Sequence, residues 1–284
     1  MGWIVVGSSV TGAGHIEKGE GCQDYSCHRL VGDALIAVVC DGAGSHTHSR
    51  QGAEAAAQSI CASPTLEAWV LEQAEAPDVP PSTGWRSVTC TVFAEAIAAV
   101  QREAVRLAVP FKELSSTAIL TVATPGFLAV AHVGDGRCCA AFQGEASEWQ
   151  PLFVPERGDL PNETWFLTAD RTLDESFWEK EATVFPRPPH GFALLTDGCE
   201  KGSFVCEVPR PEGGGFHDPN QPFPGFFNPV AASLASMWSQ GESLEAIQAL
   251  WETFLTIGHE PFRVESDDRT MILGLWVPAP PNLS

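Results

Sequence analysis

Aspartate residues recur in this sequence at the ends of short apolar runs. They are Asp41 after residues 35–40, Asp135 after 128–133, Asp197 after 192–196, and Asp267 with Asp268 before 270–277. A single Asp-Gly pair is typical of a turn. A divalent cation, however, needs carboxylates from several chain positions on one rigid rim, and the ends of packed strands supply such a rim. The pattern therefore favours a cation site at the edge of a sheet.

Hydrophobic periodicity predicts the elements that would carry these acids. We expect strands at 3–8, 25–30, 34–40, 117–123, 127–133, 137–142, 165–168, 192–196 and 270–277, and helices after the capping serines Ser45 and Ser49, at 88–107, after Asn228 and at 244–257. The first three strands are expected to be antiparallel neighbours, and 137–142 to continue the meander of the hairpin before it. Residues 206–229, rich in Pro, Gly and Phe, are predicted to form a long loop near a site.

Six motifs resemble, in order and wording, those of the metal-dependent protein phosphatases of type 2C, the PPM family. They are Gln23-Asp24, Val38-Val39-Cys40-Asp41-Gly42-Ala43-Gly44-Ser45, Ser116-Thr117-Ala118, Gly134-Asp135-Gly136-Arg137, Leu194-Leu195-Thr196-Asp197-Gly198 and Asp267-Asp268-Arg269-Thr270. These motifs, together with Asn162-Glu163-Thr164 and Phe166-Leu167-Thr168, are most similar in sequence to those of the compact bacterial branch of the family.

The resemblance implies an α+β fold, a four-layer α-β-β-α sandwich in which two antiparallel sheets are flanked by helices, with residues 1–284 as one domain. It implies two ions of Mn²⁺ or Mg²⁺ and hydrolysis of phosphoserine and phosphothreonine in proteins by a metal-bridging hydroxide, without a covalent intermediate. The roles it implies are a bridging carboxylate for Asp41, a backbone carbonyl ligand for Gly42, ligands to one ion for Asp197 and Asp267, and orientation of a metal-bound water for Asp24.

Some positions depart from the family's pattern. Gly19 stands where the family has an arginine that binds the substrate phosphate, and we expect His15 or Lys18 to take that role, with His15 also able to donate a proton. A third ion would need Asp135 together with an acid at position 201. The residue at that position is Lys201, so two ions are expected. Asp135 is then either a weak ligand or a turn residue. Aspartate replaces asparagine at position 268, which leaves Asp267 and Asp268 both open as ligands.

Composition narrows the classes of partner. The 284 residues carry a formal net charge of −20, which disfavours nucleic acid and membrane surfaces as partners. Nine scattered cysteines favour free thiols and a cytoplasmic location. We expect a phosphorylated protein substrate, such as a target of a bacterial Ser/Thr kinase. A small-molecule phosphoesterase and a weakly active or non-catalytic regulator remain alternatives, and the oligomeric state stays open. We interpret Arg137 as a structural partner of nearby carboxylates.

Overall fold

Two five-stranded antiparallel sheets form the centre of the computed structural model, which describes residues 1–76, 78–156, 164–211 and 213–278. The first sheet contains, in spatial order, β1 (Gly2–Val10), β14 (Arg269–Val277), β9 (Pro189–Leu195), β6 (Arg137–Phe142) and β7 (Gln150–Pro151). The second contains β2 (Tyr25–Val31), β3 (Ala34–Cys40), β4 (Ala118–Ala123), β5 (Leu128–Val133) and β8 (Ala182–Phe185). Their facing side chains form a core that includes Leu35, Ile119, Phe192 and Ile272.

Helices cover the outer faces of both sheets. They are α1 (Ala13–Lys18), α2 (Ser49–Cys61), α3 (Pro64–Glu75), α4 (Ser82–Leu107), α5 (Trp178–Glu181), α6 (Glu200–Ser203), α7 (Pro224–Ser239), α8 (Leu244–Thr253) and α9 (Glu260–Arg263). One outer core joins α2, α3 and α4 to the second sheet, and another joins α7 and α8 to the first. The predicted α+β sandwich of four layers is confirmed. In the described ranges, no helix combines the length and the apolar character needed to cross a bilayer.

The central strands are buried on both faces. All seven residues of β3 and all nine of β14 are buried, because each of these strands has helices on one side and the opposite sheet on the other. A strand covered on both faces reads as a continuous apolar run, which is why these two were visible in the sequence.

Two predicted strand pairings are wrong. β1 does not join β2 and β3 but pairs along its whole length with β14, from Gly2 opposite Val277 to Val10 opposite Arg269. β6 does not continue the hairpin of β4 and β5, since it crosses to the first sheet and pairs with β9. Hydrophobic pattern alone does not distinguish two sheets that share one core.

Residues 165–168 do not form the predicted strand. The Leu167 N–H donates to the Ser116 carbonyl at 2.9 Å, and the Thr168 hydroxyl lies 2.7 Å from the Ser115 hydroxyl. These bonds hold the segment as a turn beside the start of β4, which is already paired with β3 on one side and β5 on the other. The motif residues Asn162 and Glu163 lie outside the described residues.

The predicted loop at 206–229 contains more structure than expected. It includes β11 (Val208–Pro209), β12 (Phe216–His217) and β13 (Gln221–Pro222), and β13 pairs with β10 (Phe204–Val205). Helix α7 begins at Pro224, so Asn228 and Pro229 lie inside the helix and not at its start. Pro224 takes the first helical position, where the missing N–H has no cost. Helix α2 likewise begins at Ser49 after His48, without a side-chain cap from either serine.

Candidate active site

All six motifs converge on one edge of the sandwich, and backbone contacts tie several of them together. Asp41 follows β3, and its backbone N–H donates to the Thr117 hydroxyl oxygen at 3.1 Å, while the Thr117 N–H donates to the Asp41 carbonyl at 2.8 Å. Gly42 forms an isolated β-bridge with Ser116. The apolar-strand motif and the threonine motif therefore fix each other's position.

Asp24 links the two sheets at this edge. It precedes β2, and its side chain is only 1% exposed. The Thr196 hydroxyl donates to Asp24 Oδ2 at 2.8 Å, and the Thr270 N–H donates to the same hydroxyl oxygen at 3.1 Å. Burial raises the pKa of Asp24 to about 7, against the opposing hydrogen bonds of Thr196 and Thr270. The Asp24 carboxylate thus connects the first of the six motifs to the fifth and the sixth.

The other aspartates face one another across the same edge. Burial raises the pKa of Asp41 well above its usual range, and the charges of Asp24, Asp197, Asp267 and Asp135 raise it further. Burial also raises the pKa of Asp197 to about 7, with contributions from Asp267 and Asp135. The largest charge interactions at Asp41 and Asp197 are therefore with other carboxylates. A cluster of this kind is costly unless protons or cations neutralise it.

The donor set fits hard divalent cations. Asp197 Oδ1 is buried and has no hydrogen-bond partner among the described residues, so it has a vacant acceptor. Carboxylate and carbonyl oxygens are the ligands that Mg²⁺ and Mn²⁺ prefer. Asp24, Asp41, Asp197 and Asp267, with the Gly42 carbonyl, supply such oxygens.

Two glycines allow the motif loops to approach one another. A Cβ on Gly42 would lie 2.6 Å from the Gln23 carbonyl oxygen, next to Asp24. A Cβ on Gly198 would lie 1.9 Å from the Asp268 carbonyl oxygen. Any side chain at either position would push apart the segments that carry the aspartates. Close packing therefore requires glycine at both positions.

The two adjacent aspartates of the last motif have different environments. Asp267 is exposed and lines a cavity of about 290 Å³ together with Asp197. Asp268 is 2% exposed, and its carboxylate accepts hydrogen bonds from the N–H groups of Gly12, at 2.7 Å, and Gln23. The geometry favours Asp267 as the ligand, because the oxygens of Asp268 are already used.

The same cavity extends away from the aspartates along an acidic wall. Its other lining residues are Gly198, Glu200, Lys201, Cys206, Glu207, Asp218, Glu265 and Ser266. Lys201, which stands where a third-ion ligand would be, lies 3.4 Å from Glu265 and is not an acid that could bind a cation. Asp135 interacts electrostatically with Asp41 and Asp197 from across the cluster. Arg137 forms an ion pair with Glu200, which confirms its structural role.

The structure places the two predicted phosphate-binding residues differently. His15 lies in α1 and is 8% exposed, with Nδ1 2.9 Å from Asp268 Oδ1 and Nε2 4.0 Å from Glu20 Oε2. Lys18 lies at the end of α1 and is exposed to solvent. Only His15 is connected, through Asp268, to the segment that carries the aspartates.

Sequence reasoning missed a cation beside this edge. The Arg50 guanidinium carbon lies 4.8 Å from the centre of the Tyr25 ring, next to Asp24 in the chain. Its Nη1 atom is buried and has no hydrogen-bond partner in the described part of the chain. No motif marks Arg50, and its distance along the chain from Asp24 concealed it.

Comparisons with known proteins identify the family and the fold. A sequence profile described as protein phosphatase 2C matches residues 11–247. No match is found among curated protein sequences. Among solved structures, a bacterial serine phosphatase superposes with a TM-score of 0.56 at 13% identity, covering 97% of this chain and 98% of the other.

Two further structures show the same fold. The serine/threonine phosphatase Stp1 from Staphylococcus aureus has a TM-score of 0.56 at 13% identity and covers 96% of this chain and 95% of its own. PppA of Pseudomonas aeruginosa has a TM-score of 0.53 at 14% identity, with 97% and 98% covered. Because the profile spans most of the sequence, the chain belongs to the protein phosphatase 2C family.

Proposed function

We propose that this protein hydrolyses phosphoserine and phosphothreonine in proteins with the help of two Mn²⁺ or Mg²⁺ ions. The observation that carries the proposal is the convergence of Asp24, Asp41, Asp135, Asp197 and Asp267 on one edge of the sandwich. Membership of the family and the serine phosphatases among the solved structures support a protein substrate.

Each residue has a role that its position supports. Asp41, Asp197 and Asp267 would hold the ions, with the Gly42 carbonyl as a further ligand, and Asp135 would bind weakly at the rim. When bound, the ions supply Lewis-acid activation of water and neutralise charge on the phosphoryl group. Asp24, fixed through Oδ2 by Thr196, would orient the attacking water and accept its proton. His15 would bind the substrate phosphate or protonate the leaving oxygen, with Lys18 as the more exposed alternative.

The experiment is Mn²⁺-dependent release of phosphate from a phosphothreonine peptide. Asp41→Asn and Asp197→Asn should each lower kcat/KM at least a hundredfold, because they remove ligands at the centre of the cluster. Asp78→Asn, the same substitution in an exposed position of the loop before α4, is the matched control and should have no effect. An inactive wild type, or aspartate variants as active as wild type, would sink the proposal.

The same assay separates the alternatives. A small-molecule phosphoesterase would show a higher kcat/KM with sugar or nucleoside phosphates than with phosphopeptides. A non-catalytic regulator would bind Mn²⁺ in a calorimetric titration but release no phosphate. We propose a cytoplasmic substrate phosphorylated by a bacterial Ser/Thr kinase.

Charge near the cluster bears on the choice of substrate. The cavity beside Asp197 and Asp267 is lined mainly by carboxylates, and the chain as a whole is acidic. Phosphosites flanked by Lys or Arg should therefore be preferred at low salt, and the preference should weaken as ionic strength rises. Equal kcat/KM for basic and acidic phosphopeptides at low salt would contradict this reasoning.

A further inference from the structure

One departure from the family's sequence pattern, Asp268, lies against His15, which stands near the position of the missing arginine. Gly19 leaves the first motif without its arginine, and His15 stands nearby; Asp268 replaces the asparagine of the last motif. These positions are separated by almost the whole chain, yet His15 Nδ1 lies 2.9 Å from Asp268 Oδ1. The side chains are 10% and 1% exposed, so solvent screens the contact little.

Asp268 is rigidly held at its site. Its two oxygens accept hydrogen bonds from the backbone N–H groups of Gly12 and Gln23. Both bonds need an acceptor, whereas an amide side chain would turn an NH₂ group toward one of these donors. A carboxylate suits the position, and its Oδ1 also lies at ion-pair distance from His15 Nδ1, although the geometry of this contact is not that of a hydrogen bond.

The segment that carries His15 is attached to the same strand end as the metal candidate Asp267. The Ala13 N–H donates to the Glu265 carbonyl at 3.0 Å, and the Gly14 N–H donates to the Ser266 carbonyl at 2.9 Å. A Cβ on Gly12 would lie 2.3 Å from the backbone of Asp267. Helix α1 is therefore fixed to the segment beside the aspartate cluster, and His15 is carried with it.

The contact also determines which imidazole nitrogen is available. Nδ1 faces Asp268, so Nε2 is the outer nitrogen, and it lies 4.0 Å from Oε2 of Glu20, whose side chain is half exposed. A phosphate oxygen would reach Nε2 once the half-exposed Glu20 side chain turns away, because Glu20 Oε2, at 4.0 Å, lies beyond hydrogen-bond distance.

From these contacts we infer that Asp268 is a positioning residue that holds His15 with Nε2 toward the substrate phosphate, and that the pair replaces the family's arginine. The inference rests on the proposed function. In this role Asp268 acts through His15 and not on the substrate directly. Its effect is to fix the ring orientation, as carboxylates do for imidazoles in other sites.

The test uses two replacements of the same ring. His15→Asn keeps a donor near the position of Nδ1 and removes Nε2, whereas His15→Gln keeps a donor near Nε2 and lacks the one that faces Asp268. We expect His15→Asn to keep the wild-type Tm within about 2 °C and an unchanged Mn²⁺ Kd, because the contact with Asp268 remains. Its KM for a phosphothreonine peptide should rise about tenfold, with kcat changed less than threefold, since a hydrogen bond to a charged group is lost.

A second readout measures phosphate binding without turnover. Inorganic phosphate, titrated by calorimetry in the presence of Mn²⁺, should bind about tenfold more weakly to His15→Asn and to Asp268→Asn. The two effects should not add in the double variant, because both act through Nε2. His28→Asn, on the exposed face of β2, is the matched control and should bind phosphate as wild type does.

Wild-type phosphate affinity in His15→Asn would overturn the inference and leave the pair as a structural clamp. Additive effects in the double variant would also overturn it. Loss of Mn²⁺ affinity in His15→Asn would do the same, by showing that the residue acts through the metal centre. If the wild type binds phosphate but hydrolyses no phosphopeptide, the proposed function fails, while the phosphate titration still decides the role of the pair.

Discussion

The aspartate cluster should make the metal-free protein more stable at lower pH. Asp24 is almost completely buried, and its pKa rises from 3.8 to about 7 on folding. The folded state therefore binds a proton more tightly than the unfolded state. When the pH lies above 7, folding must hold an ionised buried carboxylate, and this lowers the free energy of unfolding. That cost decreases as the pH falls through 7 toward 4 and is absent below both values.

The magnitude follows from the shift of about three pKa units. Each unit corresponds to about 1.4 kcal/mol, so Asp24 costs the metal-free protein about 4 kcal/mol at high pH. Between pH 7.5 and pH 5.5, about 2 kcal/mol of this is recovered. For a chain of this size the gain raises Tm by roughly 3–4 °C. Bound Mn²⁺ should remove the effect, since the ions then neutralise the cluster in place of protons.

Thermal denaturation with EDTA at pH 7.5 and pH 5.5, repeated with excess Mn²⁺, measures both effects. Asp24→Asn is the control, because it removes this titration while leaving the rest of the net charge of −20 almost unchanged. Its metal-free Tm should vary with pH by a few degrees less than that of wild type. A wild-type Tm that falls on acidification, or one that the variant follows in parallel, would refute the reasoning.

Three further substitutions test other features of the site. Gly198→Ala should lower the free energy of unfolding by at least about 2 kcal/mol, measured in urea, because its Cβ would lie 1.9 Å from the Asp268 carbonyl oxygen. Arg137→Gln removes the buried ion pair with Glu200, so Tm should fall by several degrees, and an unchanged Tm would contradict the structural role of the pair. Arg50→Gln should raise KM for phosphopeptides severalfold at low salt and leave Mn²⁺ binding unchanged, because it removes a cation beside the cluster without touching a candidate ligand. If the variant and the wild type have equal KM values, Arg50 does not attract the substrate.

The sequence predicted some elements of the fold well and others poorly, for physical reasons. The bounds of β3 and β6 are correct because each buried apolar run stops at a polar turn residue, Asp41 after β3 and Gln143 after β6. Helix α3 was missed because Leu66, Trp69 and Val70 are its only buried residues among many polar ones. Ser63, which caps α3 through the Leu66 N–H, was the signal that could have located it.

The aspartates of the candidate site were predicted from the wording of their motifs, and the structure brings them together. Contacts between distant positions could not be predicted in the same way. Nothing in the sequence shows that His15 faces Asp268, or that Arg50 stacks on Tyr25, because neither pair lies within one motif or one helical period. The difference in exposure between Asp267 and Asp268 could not be predicted either, because it depends on the backbone N–H groups of a different segment.

The position of β14 has a consequence for how the protein is made. β14 is the last strand of the fold in the chain, yet it lies between β1 and β9 and pairs with both. While the chain is being synthesised, β1 has no partner until β14 has left the ribosome, and pairing strands so distant in sequence is slow. The Asp267 carboxylate arrives with the same segment. A nascent chain therefore cannot assemble its aspartate cluster until β14 has been synthesised.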